Sequence, residues 1–146
     1  MIKKRNNLYN MIRNDFLLKQ IEELGRVLGQ ILMNMLGLKN NPPAGRTIEE
    51  ACQTLRSEAD LDVDQLLEVP MDQFVQVLQE NKAMNDANLD RFAAILFHIA
   101  ENTEEKEKAI PLYERSLIIY TYLDQYSNLY SFDRSYYLEQ IRKALK

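Results

Sequence analysis

The chain has 146 residues, 46% of them hydrophobic and 27% charged, with a formal net charge of −4. That length supports one domain whose core holds without staples, and a lone cysteine, Cys52, excludes an internal disulfide. Four glycines and four prolines are too few for a many-turned sheet, so long helices are expected.

No stretch reads as a membrane span or a leader. Val27–Leu38 is the most apolar run, but it contains Gln30 and Asn34 and is too short to cross a bilayer. Lys3, Lys4 and Arg5 are followed by asparagines and charges rather than by an apolar segment. A cytoplasmic location and no membrane partner are the expectation.

The charge is divided unevenly. Residues 1–46 hold eight Lys/Arg against three Asp/Glu, while residues 47–146 hold ten against nineteen. A basic arm on an acidic body can steer association, within a dimer or with another partner; two solvated faces would also explain it.

The first element is a long amphipathic helix over 13–38. Leu17, Ile21, Leu24, Leu28, Ile31, Met35 and Leu38 follow a four-three spacing, one seam facing another helix. Phe16, Leu18, Val27, Leu32 and Leu36 widen the apolar surface, so the helix should touch more than one neighbour. Gly25 and Gly29 each cost about 1 kcal/mol relative to Ala in a helix, which a close approach by a neighbouring helix would offset. Self-association is expected through the seam residues Leu17, Ile21, Leu24, Leu28, Ile31 and Met35, giving a two-fold dimer.

A linker over 40–46, with Pro42, Pro43 and Gly45, separates this helix from a helical body over 47–146. Thr47 and Glu50 read as a capping box for a helix ending near Asp60. A short helix follows over 62–69, and another after Pro70 to about Asn81. The next runs from about Ala87 to Glu101. A capping segment at Thr103–Glu107 opens what should be the longest helix, with a stripe of Ala109, Tyr113, Ser116, Leu117, Tyr120 and Leu123. Ser131 caps a last helix. The fold expected is all-α, a bundle of five to seven helices in one domain.

Within that body, residues 89–123 resemble one tetratricopeptide repeat. Leu96 and Ala100 would serve its first helix, and Ala109, Tyr113 and Ser116 its second. Phe97 departs from the repeat, which has a small residue there. The chain also resembles a group of uncharacterised bacterial proteins that lead through a segment like Met11-Ile12-Arg13-Asn14-Asp15-Phe16 into a long amphipathic helix. That resemblance implies an all-helical fold and brings no activity with it.

The chemistry-bearing residues do not assemble into a motif. Asp60, Asp62 and Asp64 imitate the start of a calcium loop, but Gln65 and Met71 stand where Gly and Glu are needed. His98 is the only histidine, and with Glu101 it offers two ligands where a metal needs three or four. Cys52 lies on an inward stripe with no base placed beside it. Neither metal, cofactor nor catalysis is therefore expected, and the acidic body opposes nucleic acid.

Tyrosine is the unusual feature: seven of eight lie after residue 112. They form either a core edge with hydroxyls reaching water or a binding groove, for which Tyr120, Tyr122, Tyr126 and Tyr130 are the candidates. The expected function is a non-enzymatic protein-interaction or scaffold module; the alternative is a small-molecule or peptide binder using the tyrosine-lined groove.

Overall fold

A computed structural model describes residues 2–37, 44–128 and 131–146. Among them are seven α-helices and one 3-10 turn, and no strand. The chain is an all-α helical bundle. No helix among the described residues is long and apolar enough to cross a membrane.

Helix α1 spans Ile2–Gly37 where 13–38 was expected, residue 38 lying outside the described residues. Its 36 residues make it the longest helix, about 54 Å at 1.5 Å per residue. No glycine or proline precedes Gly25, so nothing in the local sequence stops the helix at Arg13. The apolar seam marks where the helix is covered, not where it begins.

Helix α2 is Ala44–Ala59. Thr47 is therefore inside it and caps nothing, because a helix can begin directly after a Pro-Pro pair, its first N–H groups needing no helical partners. Of the expected linker, residues 44–46 are helical and 40–43 lie outside the described residues. At its other end Asp60 adopts a left-handed φ of 53°. The chain turns there, and Leu61 N–H donates to the Leu55 carbonyl at 3.0 Å.

Helix α3, Val63–Leu66, is capped by Asp62, whose carboxylate accepts from Gln65 N–H at 3.3 Å. That is the work of one member of the aspartate run. A 3-10 turn at Met71–Gln73 leads into α4, Phe74–Gln79. Helix α5, Asp86–Glu101, is capped by Asn85 and buried nearly all round, as a central helix must be when apolar residues occupy every face.

Helix α6 is Lys106–Tyr126. Thr103 does not cap it; its hydroxyl donates back to the Ile99 carbonyl at 2.7 Å. The buried stripe is Ala109, Leu112, Ser116, Ile119, Tyr120 and Leu123. Tyr113 and Leu117, expected in the core, are half-buried at its edge. Ser116 Oγ donates to the Ala93 carbonyl at 2.8 Å, which holds α5 and α6 close as an antiparallel hairpin. Helix α7, Phe132–Ala144, is capped by Ser131 as expected and runs back along α6.

Packing is centred on α5. Helix α6 lies along it, the second half of α1 crosses it, α2 runs antiparallel to α1, and α7 leans on both α5 and α6. Asn88 fastens this centre. It is fully buried, and its Nδ2 donates to the carbonyls of Ile21 and Ala83. Its Oδ1 accepts from Arg91 at 2.8 Å.

Candidate functional site

The seam of α1 packs inside its own chain. Leu24, Leu28 and Ile31 are buried, and Ile21 and Met35 pack against the same core. Leu17 is half-buried. Burial of Leu24, Leu28 and Ile31 takes the middle of the expected self-association seam into the bundle. The reason is the neighbours: α5 and α2 pack on the seam, with Leu17, Ile21 and Met35 at its partly open edge.

Continued toward the N-terminus, the same four-three register passes from Leu17 to Asn14 and then Asn10. The face that is apolar against the body becomes polar beyond it. Apolar residues reappear on the opposite side. Leu8 and Leu28 are twenty residues apart, which at about 100° per residue places them roughly 160° apart around the helix. Ile12 and Phe16 follow Leu8 at one-turn spacing, flanked by Met11 and Leu18. All five are between 54% and 63% exposed. Isolated surface leucines are ordinary, but Leu8, Met11 and Ile12 cluster on one outward face, with Phe16 and Leu18, two residues apart, at its opposite edges.

Phe16 also borders a groove of about 420 Å³. One wall is α1, with Gln20 and Leu24; the other is the end of α2, Ser57–Asp60, with Asn81 and Ala83 beyond. Glu23, Glu58 and Asp60 line the groove together with Lys19, Glu23 being ion-paired with Arg26 at 2.6 Å. The sequence singled out the seam and passed over this outer face; extending the helical wheel back to Leu8 is the signal that finds it.

The tyrosine candidates separate. Tyr120 is fully buried, stacked on Tyr137 with ring centroids 5.9 Å apart, and so is a core residue rather than a ligand contact. Burial pushes its hydroxyl far above the ordinary tyrosine value. Tyr122 lies two residues on, about 160° round the helix, and faces α4, where its hydroxyl accepts from Gln79 Nε2 at 2.8 Å. Tyr126 packs on Tyr122 at 5.1 Å and is largely exposed. Tyr130 lies outside the described residues. Tyr120 and Tyr122 cannot line one groove, because residues two apart on a helix point in nearly opposite directions.

The groups suited to acid-base or nucleophilic work are held in structural roles. His98 Nε2 lies 3.1 Å from the Tyr137 hydroxyl, edge-on to the rings of Phe97 and Tyr137, and burial pushes its pKa down. Burial pushes the Cys52 thiol up, and Asp64 and Asp62 add to that while Arg56 opposes it. The thiolate is thus disfavoured where a nucleophile would need it. Arg134, 4% exposed, pairs with Asp124 at 3.3 Å and lies 3.9 Å from Asp90, tying α7 to both α6 and α5. Burial raises the Asp90 pKa, and the Arg134 charge opposes the rise. Among the described residues, no three His, Cys, Asp or Glu side chains come together as metal ligands would.

Compared with known proteins, the chain matches no family model, no curated protein and no solved structure.

Proposed function

We propose that this chain is a non-enzymatic interaction module that presents the outer face of α1 to a protein partner. The observation that carries the reading is the reversal of α1. Its second half is anchored in the bundle by Leu24, Leu28 and Ile31, while Leu8, Met11, Ile12 and Phe16 face outward in front of that anchor. A helix held rigidly at one end and apolar on its open side suits recognition by a helical groove or a second helix. The α5–α6 hairpin, the part that resembles a tetratricopeptide repeat, acts in this reading as the support. The displaced pKa values of His98 and Cys52 support a structural rather than a catalytic assignment for both.

The test is capture from the native host with a tagged full chain, comparing wild type with a Leu8→Ser, Ile12→Ser, Phe16→Ser variant. A specific protein retained by wild type and lost with the triple variant supports the reading. Identical protein profiles from the two overturn it. The variant should keep its melting temperature, because the three side chains are mostly exposed.

A second reading has its own observation. Tyr122 and Tyr126 form an adjacent ring pair at the C-terminal end of α6, half-open to solvent. A peptide or small ligand stacking there would lose its hold with Tyr126→Ala and keep it with the α1 variant, which separates the two surfaces.

A further inference from the structure

We propose that the cavity between α5, α6 and α7 binds a small dipolar molecule, one that carries an ammonium group and a carboxylate a few bonds apart, as amino acids do.

The cavity holds about 220 Å³ and opens where the start of α5, the end of α6 and the start of α7 meet. Drug-sized ligands occupy roughly 300–1,000 Å³, so the occupant here is smaller. The walls differ in charge. Asp86 and Asp90 stand one turn apart on the same face of α5. Arg134 lines the cavity from α7, and Arg91 borders it beside Asp90. Ser131 adds a hydroxyl on the α7 side. Its oxygen accepts from the Arg134 backbone N–H, which leaves its proton to donate.

Two features set this cavity apart. The first is Arg134, whose side chain is only 4% exposed and still forms part of the wall. It also pairs with Asp124 at 3.3 Å, and a guanidinium, with several N–H donors, serves more than one carboxylate. The second is an ion pair that stays open. Asp90 Oδ1 lies 3.9 Å from Arg134 Nε, beyond hydrogen-bond reach, whereas closed charge pairs stand at about 2.7–2.9 Å. The same oxygen is sealed from solvent with no hydrogen-bond partner among the described residues. Burial raises the Asp90 pKa further than the Arg134 charge lowers it, as expected of a carboxylate with too little positive charge beside it.

An ammonium group against Asp86 and Asp90 supplies that charge, meeting the open side of the Asp90 side chain, which is 31% exposed. A carboxylate on the same molecule then faces Arg134 and the Ser131 hydroxyl. A simple cation is repelled by the guanidinium, and a simple anion by the two aspartates, so both charges are needed.

Amide NMR of the full chain, titrated with glycine, β-alanine and γ-aminobutyrate, tests the proposal. The expected result is saturable movement of the signals of residues 86–91 and 131–134 with at least one of the three. Ethylammonium and propionate, each with one charge, should bind about tenfold more weakly or not at all. Asp90→Asn should abolish binding with an unchanged melt, because a neutral amide is less costly to bury than a carboxylate. Ala87→Leu should block binding by filling the space while leaving every charge in place, since Ala87 lines the cavity and is half-buried. If Asp90→Asn disturbs the melt, Ala87→Leu decides alone.

No saturable movement with any of the three amino acids at roughly 20 mM overturns the inference. So does binding that survives Ala87→Leu, which places the ligand elsewhere. Ethylammonium or propionate binding as tightly as the amino acids also overturns it, because one charge would then suffice. None of these outcomes bears on α1, whose interaction reading the capture experiment decides.

Discussion

Asn88 on α5 donates from Nδ2 to the main-chain carbonyl of Ile21 on α1, at 3.1 Å. A side-chain amide thus binds the backbone of a neighbouring helix, at a point where that carbonyl already serves its own helix. The same amide group reaches the Ala83 carbonyl at 2.8 Å, so one residue joins α1, the turn before α5 and α5 itself.

Asn88→Leu should cost about 2–3 kcal/mol, because it removes these bonds and strands buried polar groups. In a chain of this length that corresponds to a fall in melting temperature of roughly 5–10 °C. A melt within a degree of wild type would show that Asn88 does not hold α1 in place.

Gly25 and Gly29 separate the two uses of a helical glycine. A Cβ at Gly25 would meet Asn88 Oδ1 at 3.1 Å and Arg91 at 3.4 Å, and nothing lies within 4 Å at Gly29. Asn88 cannot give way easily, being fixed by its own hydrogen bonds. Gly29→Ala should therefore stabilise by about 0.5–1 kcal/mol. Gly25→Ala should fall at least about 1 kcal/mol below it. Urea midpoints for the two variants give the comparison directly; equal values would mean that the close approach at Gly25 is not there.

Tyr120 is buried with a hydroxyl that has no hydrogen-bond partner among the described residues. An unsatisfied buried hydroxyl costs about 1–3 kcal/mol, so Tyr120→Phe should be neutral or stabilising by up to about 1 kcal/mol. Tyr120→Ala should cost about 3–5 kcal/mol, and Tyr113→Ala distinctly less, because Tyr113 is only half-buried. Loss of stability with Tyr120→Phe would reveal a partner for the hydroxyl and contradict the packing described.

Stability should fall on both sides of neutrality. Burial depresses the folded pKa of His98, so below the ordinary value of about 6.5 the unfolded chain takes up the proton first. The His98 contribution is present above that value and is lost as pH falls from it toward the folded pKa. The raised pKa values of Tyr120 and Tyr137 act in the other direction: their contribution is present below about pH 10 and lost as pH rises beyond it. Asp90, whose pKa burial raises, would act against this slope by losing its contribution as pH rises, so wild type and His98→Gln are compared in the interval from about 5.5 to 7, around the ordinary histidine value. Urea unfolding at several pH values should show a slope in that interval for wild type and a flat line for His98→Gln. A slope that survives the substitution would assign it to other groups.

Local patterns in the sequence were enough for the class and most elements. The four-three spacing from Leu17 to Met35 identified the covered half of α1, and Ser131 and Pro70 marked where later elements begin, because caps and proline act within one turn of themselves. Gly25 was legible as a close approach for the same reason, its cost in a helix demanding compensation. Gly29 was not, since open space and close contact look alike at the level of one residue.

Tertiary structure decided everything that depends on which faces meet. The extension of α1 back to Ile2 escaped the sequence pattern, since an uncovered helix leaves no inward seam to read. Tertiary packing turned Tyr120 inward and left Tyr113 at the edge, a shift of one register that depends on how α7 lies across α6. It also buried the middle of the seam, because α2 and α5 pack on Leu24, Leu28 and Ile31. The sequence by itself determined that the chain has more apolar helix surface than one seam can use; only the packed bundle decided which part of that surface remains exposed, on the outer face from Leu8 to Leu18.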